Sequence, residues 1–300
     1  MKKRLLITML LGSTFVTQVA WAERHAHHLR LDREMSAEPQ RASASPKLRS
    51  NIALILDEKT LQPLYAKNAD EIAPIASITK LMTAMVVLDA GQALNEEVSV
   101  DVGDLDTLKG THSRLRIGMT FPRSELLKLA LMASENRAAS ALARNYPGGL
   151  SAAIAAMNAK ARALGMSDTQ FHDPTGLNSD NVSTARDLAK MVMAARKYNL
   201  IQQYTTTATH SVDGWNGREM RFTNTNPLVR NASWDIGVSK TGFINEAGRC
   251  LVMEAKINQR PVIIVLLNSL GKSTRIGDAQ RIKKWIESSN TRGTATRTRG

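Results

Sequence analysis

The spacing of apolar residues changes character several times along the chain. Ile52-Ala53-Leu54-Ile55-Leu56 is a short unbroken apolar run, followed by the polar Asp57-Glu58-Lys59-Thr60 and then by Leu61 to Tyr65. Short apolar runs bounded by turn formers predict strands, here two strands and their hairpin. After Pro74 the spacing becomes helical. Ile78, Leu81, Met82, Met85 and Val86 share a face, Gly91 offers a stop, and Ser77 is expected to open the helix. Ser124 can cap a helix from Glu125 to Met132, a second is expected from Asn136 to Asn145, and a third from Leu150 to Leu164 ends at Gly165. Ser183 or Thr184 can begin another, which carries Leu188, Met191, Val192 and Ala195. Val238 to Phe243, Cys250 to Ile257 and Val262 to Leu267 then read as strands, and Ile276, Ala279, Ile282 and Ile286 mark a closing helix. The order of strands, a helical block, strands and a last helix predicts an α/β fold whose sheet is assembled from both ends of the chain around a helical insertion.

The two ends of the chain lack these patterns. Met1-Lys2-Lys3-Arg4, the apolar run Leu5 to Leu11 and the small-x-small Ala20-Trp21-Ala22 predict a signal peptide over 1–22, cleaved after Ala22, and hence an exported, periplasmic protein. Residues 23–48 are charged and aperiodic and are expected to form a flexible linker, with His25, His27 and His28 as solvated side chains rather than metal ligands. The body is expected over 49–288, followed by a basic flexible tail over 289–300. With 300 residues and 43% hydrophobic content the chain can bury a full core. No later stretch is apolar enough for an integral membrane anchor. The formal charge of +13 would suggest nucleic acid in a cytosolic protein; behind an export signal the polyanions on offer are the wall and anionic lipid, so nucleic acid is not expected. Cys250 is the only cysteine, set in an apolar run, and is expected to be a buried thiol without a disulfide.

Three short motifs carry the chemistry: Ser77-Ile78-Thr79-Lys80, Ser134-Glu135-Asn136 and Lys240-Thr241-Gly242. They match, in order, the S-x-x-K, S-x-N and K-T-G set of serine enzymes that form acyl intermediates. An S-x-x-K alone should occur roughly once by chance in such a chain. Ser269-Leu270-Gly271-Lys272, Ser179-Asp180-Asn181 and Ser288-Ser289-Asn290 are such decoys. The first and last follow the only Lys-Thr-Gly, and the middle one sits among turn formers. Three residues along a helix put Ser77 and Lys80 on one face. A serine hydroxyl needs a base to become a nucleophile, and Lys80 can serve only when neutral, which burial and the nearby charge of Lys240 would favour. No metal or organic cofactor is expected.

With Pro74 to Thr83, Leu131 to Asn136, Phe171-His172-Asp173-Pro174-Thr175-Gly176-Leu177 and Lys240-Thr241-Gly242, the chain resembles the low-molecular-mass penicillin-binding proteins of the D-alanyl-D-alanine peptidase family, from about Ser50 to Glu287. The resemblance implies an antiparallel sheet flanked by helices, with a large helical subdomain, as in serine β-lactamases and DD-peptidases. It implies that Ser77 is acylated and that Lys80 takes its proton. Ser134 would relay a proton to the leaving amine, and Asn136 would hold the substrate amide. Lys240 and Thr241 would meet the terminal carboxylate, and the N–H groups of Ser77 and Phe243, the residue after Gly242, would bind the oxyanion. Peptidoglycan peptides would be substrates and β-lactam antibiotics inhibitors. Within the family, endopeptidase cutting of cross-links is favoured over carboxypeptidase trimming. A β-lactamase is a further alternative, weakened by the lack of an E-x-x-L-N segment between Ser134 and Lys240, and a catalytically idle wall-binding protein is another. His172 and Asp173 are not expected to act as a pair, and Trp215 and Trp234 are expected in core or hairpin packing.

Overall fold

In the computed structural model the apolar runs from the two ends of the chain meet in one five-stranded sheet. Residues 23, 26–36 and 45–297 are described, with side chains as far as 289; the expected signal segment lies outside the described residues. The chain's early strands are β1 (Ile52–Asp57) and β2 (Pro63–Lys67), and its late ones are β9 (Asp235–Ile244), β10 (Gly248–Ile257) and β11 (Arg260–Ser269). Their order is β2-β1-β11-β10-β9, with every neighbouring pair antiparallel. The two-residue turn between β10 and β11 places Asn258 and Gln259 at positive φ, the backbone of a tight hairpin whose twist matches its strands.

Both faces of this sheet are covered, which is why its strands read as unbroken rather than alternating apolar runs. Ile52, Leu54, Leu56, Val252, Val265 and Leu267 face the larger core, shared with the helices. Ala53, Ile55, Leu251, Met253, Ile264 and Leu266 face a second core closed by Ala279, Ile282 and Ile286 of the last helix, α8 (Thr274–Arg297).

The helical block between the strands contains α2 (Thr79–Asp89), α3 (Arg123–Met132), α4 (Asn136–Arg144), α5 (Gly149–Ala163), α6 (Ala185–Ala195) and α7 (Asn199–Thr205). Every residue of α2 from Thr79 to Val87 is buried, which makes it the central helix of the larger core rather than a one-sided surface helix. Short pairs knit the periphery: β3 (Ala73–Pro74) with β6 (Val182–Ser183), β4 (Glu97–Ser99) with β5 (Thr120–Pro122), and β7 (Thr209–Asp213) with β8 (Glu219–Thr223).

Several local expectations need correction. Ser77 lies in a 3₁₀ turn, Ala76–Ile78, just ahead of α2. Ser124 does not cap α3; Pro122 stands at the cap, and the N–H groups of Arg123 and Ser124 reach the carbonyls of Glu96 (2.8 Å) and Leu94 (2.9 Å), so backbone does what a side chain was expected to do. Thr184 does cap α6, accepting from the Asp187 N–H. Within the expected linker, residues 26–35 form a helix, α1, whose Met35 is buried and whose Asp32 pairs with Lys190 at 2.6 Å. Its order comes from these long-range contacts, which no local periodicity announces. The last helix likewise continues to Arg297, through most of the expected tail. Trp215, at the tip of the β7–β8 hairpin, is half exposed, whereas Trp234 packs against the second core.

Candidate active site

Three chain segments converge beside the edge strand β9. The first is the turn bearing Ser77. Ala76, just before it, has φ +48°, a left-handed conformation costly for a residue with a Cβ, and the surroundings fix it. The Thr79 hydroxyl donates to the Ala76 carbonyl at 2.8 Å, and Thr79 Oγ1 accepts from Asn181 Nδ2 at 3.0 Å. Gly176 and Gly242 press on the same turn from two sides. A Cβ at Gly176 would lie 1.9 Å from the Ala76 carbonyl oxygen, and one at Gly242 would lie 3.0 Å from the Ile75 oxygen and 3.1 Å from Ser77 N. Only glycine lets the backbone approach so closely.

Lys80 is buried and lies one turn further on. Its Nζ is 2.9 Å from Ser77 Oγ, 2.7 Å from Asn136 Oδ1 and 2.6 Å from the Thr175 carbonyl oxygen. Burial pushes its pKa down to about 7, against the opposing pull of the carboxylates Asp173, Glu135 and Asp106. Of the two causes expected, burial and Lys240, burial is the one found, and the effect of paired cations falls on Lys240 instead. Lys240 is held well below the ordinary lysine range, first by burial, then by Lys80 and then by Arg275.

The partners of Lys80 define its neutral form. A neutral amine has two N–H donors and one lone pair. Asn136 Oδ1 and the Thr175 carbonyl can only accept, so they take the two N–H bonds and the lone pair falls to the Ser77 hydroxyl, the one partner with a proton to give. In this state Ser77 Oγ–H donates to Lys80, the arrangement a general base requires.

The second segment is the α3–α4 corner. Ser134 has φ +61°, a strained backbone that turns its hydroxyl to Lys240 Nζ at 2.8 Å. Asn136 opens α4, and Glu135 accepts from the Ser113 hydroxyl at 2.8 Å. The third is β9, where Lys240 Nζ also donates to the Thr241 carbonyl at 2.9 Å, Thr241 Oγ1 bonds Thr225 Oγ1 at 2.7 Å, and Phe243 is exposed beneath the Arg249 guanidinium. The eight residues expected at the site, Ser77, Lys80, Ser134, Asn136, Lys240, Thr241, Gly242 and Phe243, thus gather around the Ser77 turn and the edge strand β9. The segment at 179–181 lies behind the Ser77 turn, where Asn181 donates to Thr79 Oγ1 at 3.0 Å and its carbonyl accepts from the Ile75 N–H at 3.1 Å, a structural role.

Four features escaped the sequence reading. Asp173 is no catalytic partner of His172, as expected, but its carboxylate accepts from the N–H groups of Thr175, Gly176 (2.6 Å) and Asn178 (2.6 Å), folding the loop that presents the Thr175 carbonyl to Lys80. Asp106 and Thr111, in the loop between β4 and β5, join the site through Asn136 Nδ2, which donates to Thr111 Oγ1 at 2.9 Å. Lys109 of the same loop reaches across to Glu246 in the β9–β10 turn at 2.5 Å. Arg275 is buried, its Nε and Nη1 have no hydrogen-bond partner among the described residues, and burial and the charge of Arg249 lower its pKa. The charge of Arg275 is also the third cause of the lowered Lys240 pKa, after burial and Lys80. Asp173 sits in the 171–177 stretch already singled out and acts through local bonds, whereas Thr111 and Lys109 are joined to Asn136 and Glu246 by tertiary contact that no motif marks. Cys250 is buried, with its thiol pushed up to about 11, and takes no part.

Residues 39–271 match the D-alanyl-D-alanine carboxypeptidase family. The chain is 48% identical to a D-alanyl-D-alanine endopeptidase of Pseudomonas aeruginosa, over 84% of this chain and 83% of the relative. It is also 48% identical to one of Escherichia coli, over 82% and 79%. Among solved structures it is similar to the Streptomyces K15 DD-transpeptidase, with a TM-score of 0.75 and 28% identity over 81% of this chain and 98% of that one. The D-alanyl-D-alanine carboxypeptidase of Mycobacterium tuberculosis gives a TM-score of 0.75 and 27% identity over 84% and 96%. The chain belongs to the D-alanyl-D-alanine carboxypeptidase family of serine peptidases.

Proposed function

We propose that this chain is an exported D-alanyl-D-alanine endopeptidase that hydrolyses peptidoglycan cross-links through an acyl-enzyme on Ser77 and is itself acylated by penicillins. The observation that carries the reading is the Lys80 amine set between the Ser77 hydroxyl and two carbonyl oxygens, with its pKa near 7. Ser77 Oγ attacks the D-alanyl carbonyl carbon while its proton passes to Lys80, and the N–H groups of Ser77 and Phe243 receive the oxyanion. Collapse breaks the C–N bond. The leaving amine takes a proton through Ser134, whose hydroxyl is bonded to Lys240. Water then cleaves the ester and frees Ser77.

Asn136 has a second Nδ2 hydrogen with which to hold the substrate amide. Lys240 and Thr241 supply the charge and hydrogen bonds for the carboxylate beside the scissile bond. β9 is the edge of the sheet, so an extended peptide can lie along it. The signal sequence over 1–22 would deliver the protein to the periplasm, where this substrate is found, with the peptidase domain spanning 49–288. Among the described residues no helix is long and apolar enough to cross a membrane.

The endopeptidase preference is favoured by the two 48%-identical relatives that bear that name. Digestion of a purified D-alanyl cross-linked dimer beside a monomer ending in D-alanyl-D-alanine, followed by chromatography and mass spectrometry, tests it. The expected products are monomers from the dimer, with slower release of D-alanine from the monomer. Release of D-alanine with the dimer left intact would make it a carboxypeptidase instead.

A further inference from the structure

The neutral Lys80 can activate Ser77 only if the Asn136 amide presents its oxygen, and not its nitrogen, to Lys80. If the amide were turned over, Nδ2 would donate to Lys80, the lone pair would be spent on Asn136, and the Ser77 proton would have no acceptor. Asn136 shares no backbone constraint with Lys80 that would fix the amide's sense, so a neighbouring hydrogen-bonding group must fix it.

That group is the Thr111 hydroxyl. Thr111 Oγ1 lies 2.7 Å from Asp106 Oδ2 and 2.9 Å from Asn136 Nδ2. An ionised carboxylate can only accept, so the Thr111 proton points at Asp106 and the Thr111 oxygen can only accept from Asn136. The atom of Asn136 facing Thr111 is therefore the nitrogen, and the oxygen faces Lys80 at 2.7 Å. Asp106 is kept ionised by its own loop: burial pushes its carboxyl up, but the N–H groups of Lys109, Thr111 and Leu108 and the Thr111 hydroxyl more than offset this and hold it below the usual range.

We propose that Asp106 and Thr111 are positioning residues for the reaction: their hydrogen-bond chain sets the sense of the Asn136 amide and thereby aims the lone pair of Lys80 at Ser77. The direction of every bond follows from one end, the carboxylate that cannot donate. Asp106→Asn is the informative change, because its new amide can donate to Thr111 Oγ1, free the Thr111 proton to point at Asn136 and invite the amide to turn over. Thr111→Val removes the hydroxyl at nearly constant shape, and Thr111→Ser keeps it.

This inference rests on the reading of Lys80 as base and Ser77 as nucleophile, and the two are separated by one experiment. The rate of acylation by benzylpenicillin is measured against pH for the parent, Thr111→Val, Thr111→Ser and Asp106→Asn, with a thermal melt of each. Expected are a fall in the plateau rate of about tenfold to a hundredfold in Thr111→Val and Asp106→Asn, recovery in Thr111→Ser, and melting temperatures near the parent's. In Asp106→Asn the midpoint of the pH profile also moves down, since a carboxylate that raises the Lys80 pKa is gone. Thr111→Val acylating at the parent's rate and with the parent's profile would overturn the inference while leaving the base intact. So would Thr111→Ser losing as much as Thr111→Val. A parent that is not acylated at all would overturn both readings together.

Discussion

Lys80→Arg slows acylation of Ser77 by about three orders of magnitude or more, within the range expected when a positioned general base is removed. Arginine keeps a cation at the position but cannot give up its proton near neutrality. The parent rate should rise with pH through about 7 and level off above it, because the neutral amine is the active form and burial brings the Lys80 pKa there. At the ordinary lysine pKa only ~1 amine in 3,000 would be neutral at pH 7, against about half in this site. In Lys80→Arg the rise through neutrality disappears along with the rate. A stopped-flow pH profile with a chromogenic β-lactam measures both. A variant that kept the parent's limb near pH 7 would show that another group is the base.

Gly176→Ala is expected to be the most damaging single-methyl change near the site. The added Cβ would stand 1.9 Å from the Ala76 carbonyl oxygen and 2.8 Å from Thr79 Oγ1, at a backbone φ of +81° that disfavours any side chain. Neither neighbour can retreat cheaply. The Ala76 carbonyl belongs to the turn that holds Ser77, and Thr79 is tied to Asn181. The collision and the φ strain together should cost on the order of 3–5 kcal/mol, which for a domain of this size lowers the melting temperature by roughly 10 °C. Acylation should fall as well, since the Thr175 carbonyl that orients Lys80 is the neighbouring peptide. Gly91→Ala is the control. Gly91 has a similar φ of +66° but open space around it, so only the conformational term of about 1 kcal/mol remains. Equal melting temperatures for the two variants would contradict the role given to close packing behind the nucleophile.

The parts of this protein that repeat a local rule could be read from its sequence. The sheet strands are long apolar runs, α2 and α6 are periodic, and the three motifs each occupy consecutive residues, so Ser77, Lys80, Ser134, Asn136, Lys240 and Thr241 could be named before any fold was known. β7 and β8 could not, because they are short and their burial is too slight to impose a period: in β7 only Val212 is buried and in β8 only Phe222; α7 buries Ile201, Tyr204 and Thr205 but spans only seven residues, too few to establish a period. The helix at 26–35 went unread for a related reason, since it is held by Met35 and Asp32 against α6 rather than by its own apolar stripe. Within the site, Asp173 and Asp106 fold their own loops through local bonds, but the tie from Thr111 to Asn136, 25 residues away, is a single contact that no local pattern announces. That burial favours a neutral Lys80 was legible, but that burial rather than Lys240 sets the shift depends on the assembled fold.

The central claim, that Ser77 is the acylated nucleophile, is tested most directly by intact-mass spectrometry of the purified protein after addition of benzylpenicillin, sampled from seconds to an hour beside Ser77→Ala. The expected result is a persistent one-to-one adduct in the parent and none in the variant. An adduct of the same mass in Ser77→Ala, or an unmodified parent with intact drug, would contradict it.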